Sequence, residues 1–257
     1  MIFALDIGNT NIVIGCIEGD DIHFTTRFST DRNKTEDEYA LKLKSLFDFY
    51  QIDPKEIEGA IISSVVPQLT RILSLSIKKI SGKTPQIVCY DMNLGGLKIG
   101  VDYPEQLGKD LITNAVAAIK EYPKPIIIFD MGTATTLSVI DKDENYLGGM
   151  IIPGLQTSMD ALSARTAQLP KVSLEAPENV IGKNTIDCMK AGAIFGTASM
   201  LDGLIDRVNE ELGEEATVIA TGGLSKEIVK HCKRKIVSDP NLMLKGLKLI
   251  YDMNKDS

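Results

Sequence analysis

A short motif that occurs twice, about half the chain apart, constrains this sequence more than any other feature. Phe3–Asn11 reads FALDIGNTN, and Ile128–Thr136 reads IFDMGTATT. Each copy has an apolar run, an aspartate, one intervening residue, a glycine and small hydroxyl or amide residues, and then a second apolar run. An apolar run that is interrupted in this way and then resumes predicts a β-hairpin. Two such copies predict a duplicated domain.

The residues at the two turns suit a phosphorylated ligand. Glycine permits backbone conformations and close approaches that a β-carbon would block. Neighbouring N–H groups and hydroxyls suit phosphate oxygens, and the aspartate can hold a cation that accompanies them. One such turn is a weak signal, because similar turns join hairpins in many proteins. Two copies in matching strand contexts favour a nucleotide held between two halves of the chain.

The order of the predicted elements indicates an α/β fold. The first half reads as three strands over residues 2–30, a helix from Thr35, a strand at 59–66, a helix at 68–80 and a strand at 85–89. Three antiparallel strands before two crossover units are typical of a ribonuclease-H-like module, with a mixed sheet. The second half restarts this order, with a long helix over about 185–212 and a last helix at 243–253. The break at Tyr122–Pro125 predicts two such domains, 1–122 and 123–257.

Composition and charge argue against several functional classes. The net charge is −7, from 28 basic and 35 acidic residues, which argues against broad nucleic-acid binding but not against a local nucleotide site. No apolar run approaches the roughly 20 residues that cross a bilayer, and no signal peptide is evident. The four cysteines form no C-x-x-C pair, and neither histidine has a suitable metal partner. We therefore expect a cytoplasmic protein with reduced thiols and neither a membrane nor a nucleic-acid partner.

Gly108-Lys109-Asp110-Leu111 lies between a polar loop and an apolar helix. Asp110 could simply belong to the first helical turn, where its negative charge is favourable. It could instead take a proton from an attacking hydroxyl group. The residues by themselves leave both interpretations open.

Gly182-Lys183-Asn184-Thr185 precedes the long helix. Asn184 or Thr185 could be the N-cap of that helix. Either residue could also present N–H groups or a hydroxyl to a polar ligand. Inside the helix, Gly192 and Gly196 are four residues apart, which indicates tight packing or a dimer surface.

Taken together and in order, these four segments resemble those of the type III pantothenate kinases, members of the acetate-kinase, sugar-kinase, actin and chaperone-ATPase superfamily. The two turns resemble the family's phosphate motifs, D-x-G-N-T and D-x-G-T-A-x-T. The segment at 108–111 resembles its G-x-D-R motif, and the segment at 182–185 resembles its G-x-N-T motif. The resemblance covers essentially the whole chain.

The resemblance implies ATP-dependent phosphorylation of the 4′-hydroxyl of pantothenate, the first step towards coenzyme A, by a homodimer. It implies that Asp110 is the general base, that Thr133 contacts the ATP phosphates, and that Asp130 binds K⁺ or NH₄⁺. Mg²⁺ would accompany ATP, with Asp6 as its outer-shell partner. The implied ATP-binding residues are Asp6, Ile7, Gly8, Asn9, Thr10, Asn11, Ile12 and Val13, and the implied pantothenate-binding residues are Gly108, Lys109, Asp110, Leu111 and Thr185.

Two positions depart from the family pattern. The arginine that usually follows the catalytic aspartate is Leu111 here, and where the family often has Y-x-N-P, this chain has Val101-Asp-Tyr103-Pro104. Both changes fall in the expected substrate pocket and leave the phosphate turns intact. They keep open a different small-molecule kinase of the same fold, acting on a sugar or a carboxylate. A non-catalytic regulator, which would bind nucleotide without turnover, is the alternative from another class.

Overall fold

The computed structural model describes residues 1–255 and begins with three antiparallel strands, as the sequence predicts. The first sheet has the strand order β3-β2-β1-β4-β5. Strands β4 and β5 run parallel to β1, because each is reached through a helical crossover. The elements of this part are β1 (Ile2–Ile7), β2 (Asn11–Glu18), β3 (Asp21–Ser29), α1 (Glu36–Phe49), β4 (Gly59–Ser64), α2 (Pro67–Ser81) and β5 (Gln86–Ile87).

Local sequence explains where the first helices begin. Thr35 is the N-cap of α1 and forms a complete capping box with Glu38, as predicted. Pro67 occupies the first turn of α2, where its missing N–H is tolerated. Both helices pack on the sheet through apolar residues that belong to one core with β1, β2 and β4.

Two further helices complete this part of the chain. The short strand β6 (Lys98–Ile99) is followed by α3 (Lys109–Glu121), and the last element is α8 (Leu242–Asn254). Helix α8 contacts β1 and β4, and its residues Leu242, Leu247 and Ile250 are fully buried.

The second sheet repeats the first. Five of its six strands lie in the order β11-β10-β7-β8-β9, with β7, β8 and β9 antiparallel and β10 and β11 parallel to β7. The repetition extends to burial: β1 and β7 both bury every residue except the aspartate, which is half-buried. The strands are β7 (Ile126–Met131), β8 (Ala134–Ile140), β9 (Asn145–Pro153), β10 (Thr217–Thr221) and β11 (Val237–Ser238). The predicted α/β class, with two related mixed sheets, is confirmed.

The helices of the second part are α4 (Leu155–Arg165), α5 (Thr185–Ala191), α6 (Thr197–Leu212) and α7 (Ser225–Val229). A π-helical turn over Gly192–Gly196 joins α5 to α6, so the long helix predicted at 185–212 is present with one irregular turn. A β-carbon added at Gly192 or at Gly196 would meet no atom of the described chain within 4 Å. These glycines therefore do not serve close packing within the chain.

The contacts within the chain form two compact units. One contains Met1–Ala117 together with the C-terminal segment from Leu242, and the other contains Ala118–Asn241. The division into domains 1–122 and 123–257 stays a prediction. The packing adds that α8 belongs with the first unit, because its apolar residues are buried there. Within the described residues, no helix is both long and apolar enough to cross a membrane.

Candidate functional site

The first Asp-x-Gly turn joins β1 to β2 and is closed by the Gly8 N–H, which donates to the Asn11 carbonyl at 2.9 Å. The hydroxyl of Thr30 donates to the Gly8 carbonyl at 2.7 Å. The guanidinium of Arg32 donates to the Asn9 side-chain oxygen, also at 2.7 Å. Asn9 and Thr10 remain exposed at the tip. The segment after β3 therefore holds the turn and adds a cation beside it, a feature that the sequence motif does not reveal.

Asp6 lies in β1 immediately before this turn. Its register partner on β4 is Ser63, which is fully buried. The Ser63 hydroxyl donates to Asp6 Oδ1 at 2.9 Å, and this bond orients the carboxylate. A carboxylate held in one orientation beside this turn fits the hard-oxygen preference of Mg²⁺.

The second turn, between β7 and β8, is also closed by the N–H of its glycine but is one residue shorter. The Gly132 N–H donates to the Ala134 carbonyl at 3.0 Å, and Gly132 and Thr133 are exposed. The Thr133 carbonyl accepts from the Gly154 N–H at 3.1 Å and from the Thr157 hydroxyl at 2.8 Å. The start of α4 therefore anchors the backbone of this turn.

Asp130 lies between two threonines in the second sheet. Its register partners are Thr136 on β8 and Thr221 on β10, and directly opposed residues project from the same face of a sheet. The Thr136 hydroxyl oxygen is buried and has no hydrogen-bond partner within the described residues, and Thr221 is also buried. A buried hydroxyl without a partner carries a desolvation penalty of about 1–3 kcal/mol.

Oxygen atoms of carboxylates and hydroxyls are suitable ligands for a hard cation. The candidate ligands at Asp130 are one carboxylate and the neutral hydroxyls of its register partners, Thr136 and Thr221. This low negative charge suits a monovalent ion better than a resident divalent metal.

Asp110 is the second residue of α3, as the first interpretation of the sequence predicts. Its Oδ1 accepts from the Leu111 N–H at 2.9 Å, so it serves the first turn of the helix. A β-carbon at Gly108 would overlap this same oxygen, so glycine leaves room for the carboxylate in this position. Burial raises the pKa of Asp110, although the N–H groups of Leu111 and of Asp110 itself and the Lys109 charge act in the opposite direction. A largely buried carboxylate with a raised pKa accepts protons readily and suits a general base.

Asn184, and not Thr185, caps the long helix. Its side-chain oxygen accepts from the Asp187 N–H at 2.9 Å, and its amide donates to the Asp187 carboxylate at 2.6 Å. Thr185 is exposed, and its hydroxyl is not needed for the cap. It is therefore available to contact a ligand.

Thr185 lines a groove of about 850 Å³ in the second unit. The groove runs along α4 and the α5–α6 helix, and Thr135 of the second turn's hairpin also lines it. Its walls are mainly apolar, with Ile152, Pro153, Leu155, Met159, Leu162, Leu169, Met189 and Met200. An apolar groove with a few polar groups is typical of a small-molecule site.

The structure distributes the predicted site residues between the units. The ATP-binding residues of the first turn and the segment at 108–111 lie in the first unit, and Asp130, Thr133 and Thr185 lie in the second. The motifs identified the loops but missed Arg32 and Ser63. The second motif contains Thr136, and Thr221 begins a Thr-Gly-Gly turn that could hold an adenine ring, but no sequence signal placed either threonine beside Asp130.

Comparisons with known proteins identify the family of the chain. The sequence profile of the type III pantothenate kinases matches residues 2–207. A type III pantothenate kinase from Brevibacillus brevis is 44% identical over 258 residues, which covers 99% of this chain and 100% of that protein. A structure from Campylobacter jejuni, assigned to a Baf family of transcriptional activators, has a TM-score of 0.61 at 18% identity and covers 99% of this chain and 100% of that one. A structure of a ROK family glucokinase from Streptomyces griseus, in complex with glucose and AMPPNP, has a TM-score of 0.51 at 13% identity. The match covers 100% of this chain and 99% of that one. At these identities the two structures support the fold alone.

Proposed function

The chain belongs to the type III pantothenate kinase family, and from this premise we infer that it phosphorylates pantothenate with ATP, the first step of coenzyme A biosynthesis. It is a transferase that uses ATP with a divalent metal ion. The observation that carries this inference is the pair of matching Asp-x-Gly turns, at equivalent positions in two sheets of the same strand order.

We propose that residues Asp6–Val13 bind the phosphates of ATP and that Thr133 makes a further contact to them. The exposed tip at Asn9 and Thr10 supports this role. Arg32, bonded to Asn9 at 2.7 Å, adds positive charge where phosphate charge must be neutralised. The divalent ion is Mg²⁺ in this proposal, held near the oriented Asp6 carboxylate. When bound, Mg²⁺ would neutralise charge on the phosphate oxygens.

Asp110 acts as the general base in this proposal. Phosphoryl transfer needs little covalent assistance, so positioning and charge neutralisation lower most of the barrier. Asp110 accepts the proton of the 4′-hydroxyl as the new O–P bond to the γ-phosphorus forms and the bond from that phosphorus to the leaving ADP breaks. Its Oδ1 is held by the Leu111 N–H, which keeps the carboxylate at one orientation. Gly108, Lys109, Leu111 and Thr185 would provide the remaining contacts to pantothenate.

Asp130 is proposed to bind a monovalent cation, K⁺ or NH₄⁺. The support is the buried, unpartnered hydroxyl of Thr136 directly across the strand pair. A cation there would supply the interaction that this oxygen lacks. Bound next to the second phosphate turn, it would also add positive charge near the nucleotide.

We propose that the protein is a cytoplasmic homodimer and that its second unit forms the contact between copies. Ile151, Val180 and Ile181 are 79%, 67% and 80% exposed. Val180 and Ile181 border the same hollow as Gly192 and Gly196, where the glycines leave open space. Exposed apolar surface beside small residues is typical of a protein–protein interface.

A coupled ADP-release assay tests the function directly. We expect turnover with ATP that depends on pantothenate and is faster in potassium than in sodium. A panel of sugars and small carboxylic acids addresses the alternative acceptors that Leu111 and Val101 keep open. Nucleotide binding without turnover on any acceptor would contradict kinase activity and favour a regulator.

A further inference from the structure

One charged side chain, that of Lys183, lines the groove that contains Thr185. The other groove-lining residues in the described chain are apolar or carry neutral polar groups. Lys183 is itself exposed, as is usual for lysine. Among the described groove-lining residues, it is the one charge that a ligand entering the groove from solvent can reach.

The residues on either side hold Lys183 at the groove. A β-carbon at Gly182 would lie 2.6 Å from the carbonyl carbon of Asp187 and would overlap the Cys188 nitrogen, so this segment packs directly on α5. The Cys188 thiol donates to the Gly182 carbonyl at 3.3 Å. On the other side, Asn184 is fixed by its two hydrogen bonds to Asp187. The backbone of Lys183 is thus anchored at both ends.

Lys183 has no carboxylate within 4.0 Å of its ammonium group in the part of the chain that the structure describes. The nearest acid in sequence, Asp187, is already bonded to Asn184. By contrast, Lys190 of α5 pairs with Glu175 at 3.5 Å. Lys183 therefore keeps its charge available for a ligand.

We propose that Lys183 binds the carboxylate of pantothenate and determines that the kinase prefers the acid to its neutral analogues. This inference rests on the proposed function. Pantothenate has a gem-dimethyl group, which suits apolar walls such as Met159 and Leu162, and a terminal carboxylate, which needs a cation. The position after Asp110 offers none, because it is Leu111. A ligand that fills the groove would cover part of the exposed Lys183 and would so strengthen the attraction between ammonium and carboxylate relative to open water.

Steady-state kinetics with two substrates test this role. Pantothenol replaces the carboxylate with an alcohol and keeps the hydroxyl that is phosphorylated. For Lys183→Met we expect the KM for pantothenate to rise about tenfold or more, as for the loss of a hydrogen bond to a charged group. The kcat should stay within about twofold, since the carboxylate is remote from the reacting hydroxyl and contributes uniform binding. The KM for pantothenol should not change, and Lys183→Arg should retain most of the affinity for pantothenate.

Lys171→Met is the matched control. Lys171 is exposed on the same connection between α4 and α5 but does not line the groove, so its substitution should leave both KM values unchanged. Equal effects of Lys183→Met on the two substrates, or an equal effect of the control, would overturn the proposal.

The design separates this inference from the proposed function. If wild type turns over pantothenate and Lys183→Met has the same KM for it, the role of the lysine is refuted and the kinase function stands. Wild-type protein that turns over neither substrate refutes the kinase function. Calorimetric titration with pantothenate then decides the role of the lysine: binding that Lys183→Met loses supports it, and no binding to wild type refutes it as well.

Discussion

Replacing Asp110 by asparagine removes proton acceptance and keeps most other contacts of this side chain. The Leu111 N–H donates to Asp110 Oδ1 at 2.9 Å. Asparagine has almost the same shape and keeps an oxygen that can accept this bond. Loss of a general base typically lowers the rate by about 10²–10⁴-fold, which corresponds to about 3–5 kcal/mol in the barrier. We expect kcat to fall within this range while the Kd for ATP changes less than about twofold.

The same substitution should increase stability at neutral pH. Burial raises the pKa of Asp110 above its ordinary value of 3.8, so the folded chain binds this proton more tightly than the unfolded chain does. The stability contributed by this group is fully present below the unfolded pKa and is lost as the pH rises through the folded pKa. Asparagine has no such loss. The Tm of Asp110→Asn minus that of wild type should therefore increase from pH 4 to pH 8.

The assays are pantothenate-dependent ADP release, nucleotide titration and thermal unfolding across that pH range. Asp48→Asn, an equal change of charge at an exposed position of α1, is the control and should alter none of the three. Equal losses of ATP affinity and of kcat in Asp110→Asn would refute the assignment as a base. A difference in Tm that does not vary with pH would refute the role of burial.

Three other substitutions test separate parts of the site. In Gly108→Ala the added methyl overlaps the Asp110 carboxylate oxygen. We therefore expect kcat to fall at least about tenfold while the affinity for ATP stays the same, and an unaltered kcat would contradict the positioning role of Gly108. Thr136→Val removes the unpartnered buried hydroxyl, so without K⁺ the Tm of this variant should equal or exceed that of wild type. Addition of KCl should then raise the Tm of the variant less than that of wild type, and an equal rise would exclude this oxygen as a ligand. Ile181→Glu places a charge on a side chain that is 80% exposed, and light scattering should show the mass per particle halved; an unchanged dimer would move the interface elsewhere.

The sequence alone was sufficient to predict the main helices and strands of the fold and the repetition of their order. The apolar runs around Asp6 and Asp130 predicted two hairpins, and the capping box at Thr35 predicted the start of α1. These signals act over a few residues, because turn chemistry and side-chain alternation depend on near neighbours. The same short-range signals located Asp110 at the first turn of a helix and Thr185 at the start of another.

Only the tertiary structure decided which groups surround those residues. Ser63 bonds to Asp6 across 57 positions of sequence, and Thr136 and Thr221 flank Asp130 through the register of three strands. The assignment of α8 to the first unit and the charge of Lys183 in an apolar groove likewise depend on packing. A motif states which side chains a loop carries. Their partners are chosen by strand register and by helix packing, which involve residues far apart in the chain and leave no local pattern.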